Sequence, residues 1–203
     1  GHGLLDLARL RHDGETVPPL RSLDDEWIFY VGSFSKILAP ALRLGWMVAP
    51  EQLLTKLTVL KEALDLETSA LIQRTVAAYL DAGHLPAHIE MLQREYRIRR
   101  DTMLSSLAKH FPSSARWTRP AGGMFIWVEL PEHVDTLSIL EIAVEEEKVA
   151  YIPGSAFRIE SSITGPAPAD RSDNCLRLNF SNSSPEDIET GIERLGRILH
   201  RYC

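Results

Sequence analysis

The sequence lacks several features that would place it in a specialised class of protein. It contains two cysteines, Cys175 and Cys203, too few for the disulfide framework of a small secreted domain, which favours a reduced, cytoplasmic setting. No apolar run approaches the ~18 residues of a transmembrane helix. The first residues also lack the charged-then-apolar pattern of a secretion signal. We therefore predict a cytoplasmic protein with no membrane partner.

Basic residues are also scarce. The chain has 22 Lys and Arg against 28 Asp and Glu, a formal net charge of -6. Because a nucleic-acid footprint needs clustered Lys and Arg, this balance argues against nucleic acid as a partner of this segment. The 44% hydrophobic and 25% charged residues are ordinary for a globular protein and exclude collagen-like, low-complexity and disordered chains.

The spacing of apolar residues predicts an α/β protein in which helices separate two groups of strands. The predicted elements are short buried strands at 27–31 and 42–49, helices over 51–111 with breaks near 66–69 and 82–86, strands at 123–130, 149–152 and 175–180, a flexible loop at 161–174, and helices at 136–148 and 185–202. Ser184 followed by Pro185 is typical of a helix start.

A polar loop between the first two predicted strands carries the most informative residues. It contains Ser33, Ser35 and Lys36, and Arg43 follows seven residues after the lysine. A lysine between buried strands is expected to be partly desolvated, which favours the neutral amine that forms a Schiff base with a carbonyl. Hydroxyls and a guanidinium are groups that bind phosphate. On these residues alone, a solvated lysine with Arg43 in a surface ion pair is an equal alternative.

The segment Gly32–Trp46 resembles the cofactor-lysine motif of class I and II aminotransferases, the pyridoxal-phosphate (PLP) enzymes of fold type I. Three further segments resemble the same family in the same order: Pro120–Trp127, Tyr151–Phe157 and Leu176–Ser181. The resemblance covers nearly all 203 residues. It is strongest to the branch that contains 2-aminoadipate and kynurenine aminotransferases and the MocR-type regulators, in which such a domain follows a winged-helix DNA-binding domain.

The resemblance implies a role for each matching residue. Lys36 would hold the cofactor as a Schiff base and then, as a general base, move a proton between the substrate Cα and the cofactor. Ser33, Ser35 and Arg43 would bind the cofactor phosphate. Arg177 would bind the substrate carboxylate through two parallel hydrogen bonds, although the residue by itself is more typical of a satisfied arginine at the end of a strand. No metal is implied.

The implied fold is a partial PLP fold type I, with α/β architecture. Residues 1–85 would be the C-terminal remnant of the large PLP-binding domain, 86–112 the interdomain helix, and 113–203 a small α+β C-terminal domain. Members of the family are usually about twice this long. The family also has an Asp followed three residues later by a Tyr, about thirty residues before the lysine. Here the residue three positions after Asp6 is Arg9 and not a tyrosine, so those roles are not transferred.

The implied function is transfer of an amino group from an L-amino acid to a 2-oxo acid, in a protein that is homodimeric at full length. The abrupt start at Gly1 and the length lead us to expect a C-terminal half that binds PLP poorly and does not turn over by itself. Two alternatives use the same lysine: the PLP-binding effector domain of a MocR-type regulator, and a lyase of the same fold.

Overall fold

The computed structural model of the chain describes residues 10, 11, 13, 14, 18–157 and 171–203. These residues form two compact units. The first contains the described residues up to Arg94 together with Ala121–Gly123, and the second contains Glu95–Pro120 and the described part of Met124–Cys203. Asp6 and most of the loop expected at 161–174 lie outside the described residues. None of the described helices is long and apolar enough to span a membrane.

The first unit begins with an antiparallel hairpin of β1 (Tyr30–Ser33) and β2 (Gly45–Val48). Three helices follow, and the first turns of the third belong to this unit: α1 (Glu51–Asp65), α2 (Ala70–Asp81) and α3 (Leu85–His110). The predicted helical region and both of its breaks are therefore confirmed.

The breaks between these helices follow from local chemistry. Helix α1 ends at Leu66, which has a positive φ of 57°, a conformation that stops an α-helix. Helix α2 starts after Ser69, whose side chain accepts a hydrogen bond from the Ile72 N–H. Gly83, with φ of 73°, follows its end, and glycine adopts this left-handed conformation without steric cost.

The burial predicted for the first two strands is wrong for this chain. Val31 is 66% exposed and Trp27, which precedes β1, is 77% exposed. Within the described part of the chain, β1 and β2 pair only with each other, so no neighbouring strand protects their outer edges. Aromatic and β-branched residues predicted extended backbone, but burial depends on what packs against it.

The second unit contains a four-stranded antiparallel sheet in the order β3-β4-β6-β5. Its strands and helices are β3 (Arg116–Trp117), β4 (Phe125–Glu129), α4 (Thr136–Glu147), β5 (Ile152–Pro153), β6 (Cys175–Asn179) and α5 (Pro185–Leu199). The predicted strands that become β4 and β6 and the predicted helices α4 and α5 are confirmed, the strand expected at 149–152 occupies only Ile152–Pro153, and β3 was not predicted.

Alternation along the two central strands separates a buried face from an open one. Ile126 and Val128 of β4 and Leu176 and Leu178 of β6 are almost completely buried, as are the side chains of α5 at three- and four-residue spacing. The intervening residues of both strands are half-buried or exposed. Since a strand presents successive side chains to opposite faces, Arg177 lies on the open face.

The start of α4 anchors β6 through buried hydrogen bonds. Asp135 caps the helix by accepting from the Leu137 N–H at 2.9 Å, and its hydrogen bond with the Ser138 hydroxyl lowers the pKa of its carboxyl. The fully buried Thr136 hydroxyl contacts the Cys175 carbonyl oxygen at 2.7 Å. The Tyr151 hydroxyl donates to the Thr136 carbonyl oxygen at 2.6 Å. These bonds hold the first residue of the strand that carries Arg177.

Candidate functional site

Two glycines shape the hairpin from which the candidate cofactor loop projects. Gly32 lies opposite Trp46, and Ser33 lies opposite Gly45. A Cβ on Gly32 would stand 2.1 Å from Cζ2 of Trp46, and one on Gly45 would stand 2.9 Å from the Gly32 carbonyl oxygen. Only glycine therefore lets the indole cross β1 and the two strands approach this closely.

The loop after β1 is held by its apolar side chains. Phe34 is buried and its ring centroid lies 4.9 Å from that of Trp46. Its N–H donates to the Leu44 carbonyl oxygen at 3.1 Å, and Ile37 is fully buried. These anchors on either side of residues 35 and 36 hold a tight turn. Its backbone is further closed by the bond from the Leu38 N–H to the Phe34 carbonyl oxygen.

Lys36 lies on this turn with its side chain exposed. No described residue forms an ion pair or hydrogen bond with its ammonium group. The described residues do not give Lys36 the partial desolvation predicted for it, because they leave the flanking strands themselves exposed. The amine is nevertheless held on a well-anchored backbone and is sterically free to react.

The two serines form a hydroxyl pair beside the lysine. The Ser33 hydroxyl donates to the Ser35 Oγ at 3.0 Å, and the Ser35 N–H donates to the Ser33 Oγ at 3.1 Å. Hydroxyls can rotate toward another acceptor, so both can turn toward a ligand. An oxyanion is the kind of ligand that such a pair of donors suits.

Arg43 closes the loop in an unusual backbone conformation. Its φ of 48° lies in the left-handed region, immediately after the turn Pro40–Leu42. A residue other than glycine pays about 1–2 kcal/mol for this conformation. Its exposed guanidinium donates to the Pro40 carbonyl oxygen at 3.3 Å. No described carboxylate pairs with it, so the surface ion pair considered above is not present among these residues.

This donor set fits a phosphorylated carbonyl cofactor. One loop carries two adjacent hydroxyls, an amine that no described residue pairs with, and a guanidinium without a described carboxylate partner. The amine matches a carbonyl carbon, and the other three groups match a phosphate. Among the described residues no three His, Cys, Asp or Glu side chains are grouped to hold a metal ion.

A separate candidate binding residue, Arg177, lies in the other unit, on the open face of its sheet. Arg177 of β6 is opposite Trp127 of β4 and opposite Ile152 of β5. Its Cζ lies 4.0 Å from the centroid of the Phe125 ring and 4.5 Å from that of Phe157.

The charge of Arg177 is balanced by no acid in the described part of the chain. Its Nε is buried and has no hydrogen-bond partner there, which leaves the alternative of a paired strand arginine unsupported. A partly desolvated cation without a counter-ion is costly, and a planar carboxylate is the anion whose geometry matches a guanidinium.

The end of β6 is also held in place. The Asn179 side chain accepts from the Ser181 N–H at 2.7 Å, and Arg99 of α3 donates to the Ser181 carbonyl oxygen. Neither contact was foreseen from the sequence, and neither were the rings on Arg177. The available signal for Phe125 was its placement two residues before Trp127, on the same face of one strand.

Comparison with known proteins places this chain in a family. The model of the family described as aminotransferase class I and II matches residues 11–195. The aromatic-amino-acid aminotransferase 1 of Thermococcus litoralis is 40% identical over 193 residues, which are 95% of this chain and 44% of that protein. The HTH-type transcriptional regulator YdfD of Bacillus subtilis is 30% identical over 182 residues, 89% of this chain and 35% of the regulator.

A solved structure shows the same fold. The kynurenine aminotransferase of Pyrococcus horikoshii, determined in complex with PMP, KYN and KYA, superposes with a TM-score of 0.86 at 37% identity. The match covers 96% of this chain and 46% of that one. The described chain thus has part of the fold of these enzymes, and it spans less than half the length of the relatives it matches.

Proposed function

The chain belongs to the aminotransferase class I and II family, and from that premise we propose that the whole protein transfers an amino group from an L-amino acid to a 2-oxo acid with PLP as cofactor. The observation that carries the proposal is the Lys36 loop. It presents an amine that pairs with no described residue, beside the hydroxyl pair of Ser33 and Ser35, on a hairpin that glycine alone permits.

Lys36 supplies the reactive amine in this proposal. Its exposed nitrogen can bond covalently to a cofactor carbonyl without first breaking an ion pair. When bound, PLP provides an electron-withdrawing ring that stabilises negative charge at the substrate Cα. The Lys36 amine would take the proton from the substrate Cα as a general base and, as the resulting acid, would give it to the cofactor carbon that is bonded to the substrate nitrogen.

The phosphate of the cofactor is assigned to Ser33, Ser35 and Arg43. The Ser33 hydroxyl donates to the Ser35 Oγ, and a phosphate oxygen can take the place of that acceptor at little cost in free energy. Arg43 adds the positive charge that a dianion needs. Its left-handed backbone is consistent with a position held for function, since strain of this kind concentrates at ligand sites.

Arg177 is assigned to the α-carboxylate of the amino acid. A guanidinium offers two parallel N–H donors to a carboxylate, which fixes orientation as well as position. Fixed orientation matters because the reacting Cα–H bond must be aligned before a proton can be moved efficiently. The absence of a competing acid among the described residues supports this assignment.

Trapping with borohydride tests the assignment of Lys36. The protein is incubated with limiting PLP, reduced, digested and mapped by mass spectrometry. We expect the phosphopyridoxyl adduct on Lys36 in the wild type and its loss from that peptide in Lys36→Arg. Lys56→Arg is the matched control, since Lys56 is also exposed and lies in α1 of the same unit.

Two outcomes would contradict the proposal. One is an adduct spread evenly over the lysines, or equally abundant in Lys36→Arg. The other is a whole protein that carries the Lys36 adduct yet transfers no amino group from any common L-amino acid to 2-oxoglutarate. The second result would leave the cofactor assignment intact and favour the regulator described below.

We further propose that the whole protein is a cytoplasmic homodimer. Support for a partner comes from the large apolar side chains exposed on the hairpin and α1, among them Val31, Met47, Leu60 and Leu64. Cys175 and Cys203 form no disulfide within the described part of the chain, which is compatible with a reducing compartment. Sedimentation of the whole protein at micromolar concentration tests the dimer.

A PLP-binding effector domain of a MocR-type regulator is the second candidate. The similarity to a Bacillus subtilis HTH-type regulator over 89% of the chain favours it. Both functions use Lys36, so the trapping experiment does not separate them. A regulator is expected to change its DNA affinity when PLP is added and to transfer no amino group. The enzyme is expected to transfer an amino group and to show no DNA affinity that depends on PLP.

A further inference from the structure

Two phenylalanine rings contact Arg177, and carboxylate binding alone does not explain them. The Phe125 centroid lies 4.0 Å and the Phe157 centroid 4.5 Å from Cζ of the guanidinium. Both distances are well inside the range of about 6 Å over which an aromatic face attracts a cation. One guanidinium is therefore engaged by two aromatic faces at once.

The topology of the sheet delivers the two rings from opposite neighbours of β6. In the order β3-β4-β6-β5, β6 lies between β4 and β5. Phe125 is on β4, two residues before the direct partner of Arg177, so it reaches the guanidinium diagonally. Phe157 ends the turn Gly154–Phe157 that follows β5, whose Ile152 pairs with Arg177.

Phe157 is itself braced. Its ring meets Trp127 edge to face, with centroids 5.6 Å apart and an angle of 69° between planes. Trp127 is in turn the cross-strand partner of Arg177. A ring that is 42% exposed would otherwise be free to turn away from the guanidinium, and the indole restricts that freedom.

The rings stabilise the cation without using its hydrogen-bond donors. The Nε of Arg177 is buried with no acceptor among the described residues, so the surroundings must offset the cost of desolvating the charge. An aromatic face does so electrostatically. Phenylalanine has no oxygen that could accept from the N–H groups, and those donors are left for a ligand.

We propose that Phe125 and Phe157 are positioning residues that hold the Arg177 guanidinium in the orientation in which it receives the carboxylate of the amino acid substrate. The inference rests on the proposed function only for the identity of that carboxylate. Both residues act through Arg177. A flexible arginine side chain loses less conformational freedom on binding when it is already held in place.

Nitrogen-15 NMR of the arginine Nε–Hε groups tests the positioning directly and needs no cofactor. The Arg177 signal is identified by its loss in Arg177→Lys. We expect ring currents to shift it, and we expect Phe125→Leu and Phe157→Leu each to move it toward the exposed arginines. Phe157→Tyr keeps the ring and should keep the shift. Phe29→Leu is the matched control, because Phe29 is 43% exposed and lies in the other unit.

The second measurement uses the whole, PLP-loaded protein. We expect KM for the amino acid to rise roughly five- to tenfold in each leucine variant, with a smaller change in kcat, because one cation–π contact is lost. Phe157→Tyr keeps the ring, so its KM should stay near that of the wild type. Borohydride labelling of Lys36 is followed in the same samples, since its absence from the wild type would mean that the proposed function has failed.

The inference is overturned by an Arg177 signal that stays in place in both leucine variants. It is also overturned if labelling of Lys36 is normal and KM is unchanged in both variants. A KM in Phe157→Tyr as high as that in Phe157→Leu would likewise refute the inference, because a ring face is all that the positioning requires.

Discussion

Two glycines of α5 give a stability prediction in which the same substitution acts in opposite directions. Gly191 and Gly196 both lie within Pro185–Leu199. Replacing a glycine inside a helix by alanine normally stabilises the helix by about 1 kcal/mol. A Cβ on Gly191 would meet nothing within 4 Å, so Gly191→Ala should gain that amount in full.

Gly196 faces a different environment. A Cβ there would lie 2.3 Å from the carbonyl oxygen of His110, the last residue of α3, and 3.0 Å from its carbonyl carbon. That is roughly 1 Å short of ordinary van der Waals contact, and the obstacle is backbone. Overpacking costs about 1–3 kcal/mol, and an obstacle that cannot rotate away should place the cost near the upper end.

The helix-propensity gain is common to both variants, so the difference between them isolates the packing cost. We expect Gly196→Ala to be less stable than Gly191→Ala by about 2–3 kcal/mol. Hydrogen exchange of the α5 amides, measured by mass spectrometry, reports the free energy of opening of this helix. Protection in Gly196→Ala that equals or exceeds that in Gly191→Ala would refute the packing of α5 against the end of α3.

Two further predictions concern the same unit. Ser184→Ala should destabilise α5 by about 1 kcal/mol, because the Ser184 Oγ accepts from the Asp187 N–H at 3.1 Å and donates to Asp187 Oδ2 at 2.9 Å. Ser184→Thr keeps the hydroxyl and should retain most of the wild-type stability. Equal urea midpoints for the wild type and the alanine variant would contradict this. Tyr151→Phe should cost about 1 kcal/mol at pH 7 by removing the bond to Thr136. Burial raises the pKa of Tyr151 above its usual 10.0. Above pH 10 the unfolded state therefore ionises before the folded state does, and the stability of the wild type falls as the pH rises. Urea titrations from pH 8 to 11 should show a shallower fall in Tyr151→Phe.

The helices were predictable because each has a local cause. Their boundaries coincide with residues whose chemistry is visible in the sequence, such as Ser184 with Pro185 at the start of α5 and Gly83 after α2. The Lys36 loop was predictable for a related reason. A glycine-flanked polar segment between two strands marks a displayed loop whatever surrounds it.

Burial and cross-strand partners were not predictable in the same way. The strands β1 and β2 are rich in apolar residues yet exposed, because burial depends on what packs against a strand and the strand's own sequence does not specify this. Phe157 reaches Arg177 only because β5 pairs with β6 at Ile152, and register is set by pairing between segments far apart in the chain. The placement of β5 at Ile152–Pro153, later than predicted, has no local signal that we can identify.

The partners of the arginines separate structural from functional positions. Arg197 and Arg201 bind carboxylates of α4 at 2.7 and 2.6 Å. Water solvates the part of each guanidinium that the carboxylate does not contact. An exposed cation such as Arg43 can lack a described carboxylate at little cost for the same reason.

Arg177 differs from these three arginines because its Nε is buried and has no hydrogen-bond partner among the described residues, which is also true of the Nε of Arg11 and Arg99. Of these last three guanidinium groups, only that of Arg177 contacts two aromatic rings in the described part of the chain. If an acid were paired with Arg177, every incoming carboxylate would have to displace it. The aromatic faces instead stabilise the charge and leave the guanidinium N–H donors for a ligand. The lack of a described counter-ion is therefore the feature that most specifically indicates an anionic ligand.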